Sequence, residues 1–353
     1  MPSPGEGTRW IESLSPWPAD GFGLERIRSL LAELGEPQRR YRSIHVVGSN
    51  GKSTVTRTAA ALLRREGLRV GAYTSPHVSG WEERIQMDGA PVDFEGALAR
   101  VRGPAERLGA TQFEILTAAA LAEFAATGVD AAVVEAGLGG RLDATNTIDA
   151  RVVLLTNVGL EHTNVLGDTR EAIAAEKLAV AGPNAIVVLG EPEWTRLVPG
   201  TDVRLGGARE AAEAFLGRPT EQQVDVRLPG RLERRGNEVW DGAHTPDAVD
   251  WLLPQLPRAD YVLCVSILDD KDADGILERL RAAGRILVAT ESANPRSLAT
   301  KELAARAEPY FEHVEPIADP MAALGRAREL AGAAGAVLVT GSLYLLADLS
   351  AGG

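Results

Sequence analysis

The chain has 353 residues, enough for two domains that each bury a core. Lys and Arg number 37 against 49 Asp and Glu, and the formal net charge of −12 disfavours nonspecific nucleic-acid binding while leaving room for a local basic pocket. The single cysteine, Cys264, rules out an internal disulfide, and its place in the apolar run Tyr261 to Val265 reads as a buried structural thiol. The opening Met1-Pro-Ser-Pro-Gly-Glu6 has neither a basic region nor an apolar core, and no apolar stretch is long enough to span a membrane. Cytoplasmic residence is therefore expected, with no membrane and no nucleic-acid partner.

In chain order, Leu24, Ile27, Leu30, Leu31 and Leu34 share one helical face. The apolar run Ile44 to Val47 reads as a buried strand, and a helix follows through Arg65. Val70–Tyr73 is a short strand, 113–126 a helix and 131–135 a buried strand. A strand at 152–156, a helix at 169–180 and a strand at 185–189 complete the run. Alternating strands and helices with apolar strands argue for a mainly parallel sheet covered on both faces. Between about 190 and 230 the composition turns to Pro and Gly, which places a domain junction near 228: residues 1–227 form one domain and 228–353 a smaller one. The second has strands at 261–265, 285–289 and 336–340 and helices at 273–283, 300–307 and 320–333.

The densest chemistry lies at the first junction of strand and helix. Gly48-Ser49-Asn50-Gly51 makes a glycine-bearing turn, and Lys52, Ser53 and Thr54 open the helix. Backbone N–H groups and the helix dipole at such a place face an anion, the lysine neutralises outer phosphates, and a hydroxyl can ligate Mg²⁺. The longer P-loop requires glycine at position 46, which is Val46, so this is the short form G-x-x-G-K-S. Glu135 ends a buried strand at the carboxyl edge where α/β sheets place their sites, and a carboxylate there needs a partner: a metal, or a salt bridge.

Several further stretches, Tyr73-Thr-Ser-Pro-His77, Glu82-Glu-Arg-Ile85, Glu135-Ala-Gly-Leu-Gly-Gly-Arg-Leu-Asp-Ala-Thr-Asn146, Gly159-Leu-Glu-His-Thr163, Leu228-Pro-Gly-Arg-Leu-Glu233, Asp241-Gly-Ala-His244, Asp270-Lys-Asp272 and Gly341-Ser-Leu-Tyr344, run in fixed order with the loop. Together they resemble the folylpolyglutamate synthase/dihydrofolate synthase family of the Mur ligase superfamily. The resemblance implies a two-domain α/β fold, with a P-loop ATPase domain and a smaller C-terminal α/β domain. It implies an ATP- and Mg²⁺-dependent ligase joining L-glutamate to a folate-like acid through an acyl phosphate, and a monomer is expected.

On the same resemblance Ser53, Ser75, Glu135, His162 and Lys177 are metal ligands, with Lys177 carbamylated by CO₂ and so turned from cation to anion. From the residues alone, Ser75 is equally a turn, His162 an ordinary loop histidine, and Lys177 a surface lysine snorkelling from an apolar helix. The family gives Gly48 to Thr54 to the phosphates, and Arg231, Asp241 and His244 to the nucleotide. Arg231, at a hinge, is expected to reach phosphate on closure. Phe113, Arg141 and Asp143 are implied for the pterin side; Phe113 as core and Asp143 as a cap are the alternatives. Asp270 and Lys271 are candidates for the amino acid, or a solvated cluster capping the next helix.

Two features depart from the family pattern. Ser53 follows the lysine where Gly is usual. The segment between Lys177 and Arg231 is shorter, and its helix, read at 206–215, lacks the His-Gln and Asn that normally precede and hold the adenine. A Mur-type ligase acting on another acid, and a non-catalytic nucleotide- or pterin-binding homologue, are the alternatives; a P-loop kinase is disfavoured by the short loop.

Overall fold

Ile44 and Val46 point to one face of their strand and Val47 to the other, and all three are fully buried, as side chains of a strand covered on both sides must be. The computed structural model describes residues 5–18, 21–160, 162–257 and 260–351. The chain divides into two compact units, one of Met1–His77 and Trp81–Val226, the other of Val78–Gly80 and Arg227–Gly353.

The strands of the first unit are β1 (Arg42–Val47), β2 (Val70–Tyr73), β3 (Ile85–Met87), β4 (Ala90–Pro91), β5 (Ala131–Glu135), β6 (Val152–Leu155), β7 (Ile186–Leu189) and β8 (Asp202–Leu205). They form an eight-stranded sheet in the order β4-β3-β2-β5-β1-β6-β7-β8, parallel from β2 to β8, with β3 and β4 antiparallel at one edge. Helices Lys52–Arg65 and Ala208–Leu216 pack on the Ile44/Val46 face. Helix Gln112–Thr127 lies in the core of the other face. It is apolar nearly all round, the pattern of a buried helix, and it starts in a capping box: Thr111 and Glu114 satisfy each other's backbone N–H groups.

Expected and observed elements differ mostly at their ends, by one to three residues, where helices fray. Larger differences occur at several elements, among them helix Glu6–Glu12 and strands β3 and β4, which carry no sequence expectation. Helix Phe94–Leu108, capped by Asp93, was not foreseen, because Gly96, Gly103 and Pro104 break its helical pattern. Strand β8 lies inside the stretch read as a change of composition, and helix Ala208–Leu216, expected at 206–215, follows it. They belong to the first unit; β8 is a part-exposed edge strand too short and polar to register as a buried one.

The second unit has β9 (Glu233–Arg235), β10 (Glu238–Trp240), β11 (Val262–Val265), β12 (Ile286–Ala289), β13 (His313–Pro316) and β14 (Val337–Thr340), ordered β13-β12-β11-β14-β10-β9. All pairs are parallel except the β9–β10 hairpin. Val78 packs into its core beside Trp240 and Leu346. Cys264 is buried in β11, and burial, the main cause, pushes its thiol up to about 12. Among the described residues, no helix is long and apolar enough to cross a membrane.

Candidate active site

Four neighbouring parallel strands, β2, β5, β1 and β6, deliver their carboxyl ends to one edge of the first sheet. From that edge come Thr74 and Ser75, Glu135, the loop 48–51, and Thr156 and Asn157. This is the place where a parallel sheet presents chain ends and helix N-termini to a ligand.

The loop is shaped by its glycines and held from β6. Gly48 has φ +146°, and a Cβ there would stand 1.9 Å from the Thr156 hydroxyl oxygen. Only glycine lets the chain turn this close to the neighbouring strand. Thr156 Oγ1 donates to the Asn50 carbonyl at 2.7 Å, Asn50 N donates to Asn157 Oδ1 at 2.8 Å, and Ser49 N donates to the Asn157 carbonyl at 3.0 Å. The Ser49 hydroxyl accepts from Gly159 N at 2.9 Å, tying the loop to the segment that leads to His162. Helix Lys52–Arg65 then starts at Gly51, which offers no side-chain cap, so the first-turn N–H groups remain for an anion. Lys52 Nζ folds back on its own loop, donating to the carbonyls of Gly48 at 2.9 Å and Ser49 at 3.2 Å. Thr54 is exposed on the first turn.

Glu135 is 1% exposed. Its Oε1 accepts from the Ser53 hydroxyl at 3.1 Å and its Oε2 from Ser75 N at 3.1 Å. A buried carboxylate beside a serine hydroxyl, at a helix N-terminus, is a set of hard oxygens that fits Mg²⁺, which usually takes one or two carboxylates and completes its shell with water and substrate phosphates. Ser75 meets Glu135 through its backbone N–H. Lys177 is also 1% exposed, and its Nζ donates to the Gly48 carbonyl at 2.9 Å, the same oxygen that Lys52 uses. The snorkelling reading of Lys177 is thereby corrected: helix Arg170–Leu178 turns this residue into the interior. His162 has φ +46° and stands at the N-cap position of the short helix Thr163–Leu166, with no side-chain capping bond. A histidine held in the left-handed region is costly and marks a place over-determined by its surroundings.

The glycine loop after β5 is organised by Asp143. Its Oδ2 accepts from Gly137 N at 3.0 Å and Leu138 N at 2.8 Å, and its Oδ1 from Thr145 N at 3.0 Å and from the Thr145 hydroxyl. Burial raises its pKa, against the pull of these bonds. The carboxylate folds the loop from within. Phe113 is half-buried against the core, and its ring fills the space a Cβ on Gly137 would occupy, 2.5 Å away. Arg141, exposed, pairs with Glu176 at 3.0 Å.

In the second unit Asp241 follows β10. It is buried and accepts from Leu232 N at 2.8 Å and Ala243 N at 2.9 Å; burial raises its pKa, and the Leu232 bond and the Arg231 charge oppose this. Arg231 donates to the Gly230 carbonyl at 3.1 Å, and His244 Nδ1 lies 2.7 Å from the Gly242 carbonyl. Asp270 and Lys271 form an ion pair at 3.1 Å, while their neighbour Asp272 caps helix Ala273–Leu280 through Gly275 N at 2.9 Å. The capping alternative therefore holds for Asp272.

Thr156, Asn157 and Arg57 were missed in the sequence. The first two stand directly after an apolar strand, as Glu135 does, so polar residues at that position were a readable signal. Arg57 is four residues past Ser53 and so on its helical face.

A short phosphate loop, a buried carboxylate facing the helix hydroxyl, and a second parallel α/β unit define the Mur-type ATP-dependent ligases. Residues 46–188 match the Mur ligase middle domain and residues 230–343 the Mur ligase glutamate ligase domain. The chain belongs to the dihydrofolate synthase/folylpolyglutamate synthase family of that superfamily. It is 32% identical to the dihydrofolate synthase/folylpolyglutamate synthase of Mycobacterium tuberculosis, over 84% of this chain and 80% of that protein. It is 30% identical to the Escherichia coli K12 protein of the same name, over 77% and 78%. Among solved structures, M. tuberculosis folylpolyglutamate synthase complexed with ADP superposes with a TM-score of 0.86 at 29% identity, covering 98% of this chain and 96% of that one. A bifunctional folylpolyglutamate synthase/dihydrofolate synthase with Mn, AMPPNP and L-glutamate bound gives 0.83 at 26%, covering 98% and 96%.

Proposed function

We propose that this chain joins L-glutamate to the carboxylate of a dihydropteroate or reduced folate, using ATP and Mg²⁺ and releasing ADP and phosphate. The observation that carries the reading is the Glu135–Ser53 contact at the mouth of the Gly48–Thr54 loop. The loop amides and Lys52 bind the phosphates and neutralise their charge as the γ-phosphoryl group passes to the acid's carboxylate. Ser53 and Glu135 would hold Mg²⁺, which would supply positive charge against the charge that develops on the phosphates. Ser75, His162 and a carbamylated Lys177 are assigned to the same metal chemistry. Glutamate's amine then attacks the acyl phosphate carbon, the C–O bond to phosphate breaks, and the amine gives up a proton. Arg231, Asp241 and His244 are assigned to the nucleotide, Phe113 and Arg141 to the acid, and Asp270 and Lys271 to the amino acid. Asp143 acts on the acid through the loop it folds. On the same reading the protein acts in the cytoplasm as a monomer.

The test is direct. Purified protein with ATP, Mg²⁺, glutamate and dihydropteroate or a reduced folate yields a product heavier by one glutamyl unit, with ADP released in step. A second reading, the same chemistry on another acid, is favoured by the short segment before β9: helix Ala208–Leu216 and its approach carry no asparagine. ADP release stimulated only by an unrelated acid would select it.

A further inference from the structure

We infer that Arg57 is a positioning residue for the carboxylate end of the cation site: it ties the phosphate-loop helix to the Thr74–Ser75 turn, so that Ser53 and Ser75 hold Glu135 from two sides. The inference rests on the reading of Glu135 and Ser53 as the Mg²⁺ site.

Arg57 is 7% exposed. It lies one helical turn beyond Ser53, on the side of helix Lys52–Arg65 that faces β2 and β5. Its Nη2 donates to Thr74 Oγ1 at 3.0 Å and to the Glu83 carbonyl. Thr74 is itself pinned, since its N–H donates to the Arg84 carbonyl at 2.9 Å. The next residue, Ser75, gives its N–H to Glu135 Oε2, while Ser53, on the helix that carries Arg57, gives its hydroxyl to Glu135 Oε1. A ring therefore closes from Arg57 through Thr74, Ser75, Glu135 and Ser53 back to the helix.

Burial draws the guanidinium down to about 10, and the charges of Glu135 and Glu83 hold it up, so it is a cation at neutral pH. Its Nε and Nη1 are buried with no hydrogen-bond partner among the described residues. Leaving two donors of a buried cation unmatched is costly. An apolar side chain would fill this space without that penalty, so packing alone does not account for the arginine. One nitrogen of the planar fork, Nη2, reaches both acceptors with its two N–H bonds held at a fixed angle in the guanidinium plane, which a lysine ammonium does not reproduce.

The experiment titrates ADP binding by calorimetry over a series of Mn²⁺ concentrations and reads the Mn²⁺ concentration that gives half of the metal-dependent gain in affinity. Arg57→Lys keeps the charge and loses the fork. Thr74→Val keeps Arg57 and removes its side-chain acceptor, and Thr74→Ser restores that acceptor. Residues that orient a metal ligand typically change metal affinity by about 10- to 100-fold when lost, so Arg57→Lys and Thr74→Val raise the half-saturating Mn²⁺ by roughly tenfold or more, and Thr74→Ser stays near the parent. Thermal melts monitor folding, and Thr74→Val decides the matter if Arg57→Lys does not fold. A parent-like Mn²⁺ response in folded Thr74→Val overturns the role of Arg57 and leaves the metal reading standing. An unaltered Mn²⁺ response in Glu135→Ala overturns both.

Discussion

Lys177 and Lys52, 125 residues apart in sequence, donate to one acceptor, the carbonyl oxygen of Gly48, each at 2.9 Å. Two ammonium groups on one oxygen repel each other, and one of them is buried to 1% exposure. A carbamate on Lys177, formed by attack of the neutral amine on CO₂ with loss of a proton, would remove the repulsion and would supply an anionic oxygen ligand. Protein equilibrated with ¹³C-labelled bicarbonate is expected to show a carbamate carbon by NMR that Lys177→Ala lacks. Identical spectra for the two proteins would sink the assignment.

Among the described residues Lys52 bonds only to its own loop, so its removal leaves the packing of the sheet intact. Loss of a group that stabilises transition-state charge typically costs about 10²–10³ in kcat. Lys52→Ala is expected to melt with the parent and to form ADP slower by at least that factor. Near-parental turnover in the folded variant would remove Lys52 from the phosphate chemistry.

The parts of the site visible in the sequence are those where one residue type has one physical use. Gly48 and Gly51 around a strand-to-helix turn, and Glu135 closing an apolar strand, carry their meaning locally. Lys177 did not, because a lysine on an apolar helix faces solvent or interior depending on what packs against it, and here the loop 137–141 covers that helix: Arg141 N donates to the Glu176 carbonyl. Asp143 looked like a ligand-facing carboxylate. Its four donors come from Gly137, Leu138 and Thr145, and only the folded loop shows that they converge on it. Arg57 was invisible for the same reason, since its partners Thr74 and Glu83 stand 17 and 26 residues further along the chain.

Asn157 fixes the phosphate loop through two atoms, with its side-chain oxygen on Asn50 N and its carbonyl on Ser49 N. Asn157→Ala removes the first and keeps the second. One hydrogen bond to a part-buried amide is worth about 1 kcal/mol net, so ATP is expected to bind about fivefold more weakly. Asn157→Asp, which keeps the acceptor oxygen, retains the loop contact but brings a negative charge to the phosphates, and is expected to bind ATP more weakly than the alanine variant. Steady-state KM for ATP, with ADP affinity by calorimetry, measures both; an alanine variant with unchanged ADP affinity would show that the loop holds its shape without Asn157.

His45 sits in the middle of β1, fully buried, with Nε2 2.8 Å from the Thr145 hydroxyl and Nδ1 without a hydrogen-bond partner among the described residues. Burial lowers its pKa from 6.5 to about 3. His77 is also lowered to about 3, by burial first and then by the Arg84 cation, whose Nε donates to His77 Nδ1 at 2.9 Å. Both are neutral in the folded protein throughout the mildly acidic range, whereas in the unfolded chain they take up protons below about 6.5. The unfolded state then binds more protons, so stability rises with pH across this window and is lost as pH falls from about 6.5 towards 3. The full slope is about 1.4 kcal/mol per pH unit for each histidine. Urea unfolding midpoints at pH 7, 6, 5 and 4 are expected to fall steadily in the parent. His45→Gln, which keeps a polar partner for Thr145 and cannot protonate, is expected to start less stable at pH 7 and to fall less steeply. Parallel slopes for the two proteins would mean that His45 carries a proton in the folded state, and that the Thr145–Asp143 arrangement stabilises an imidazolium.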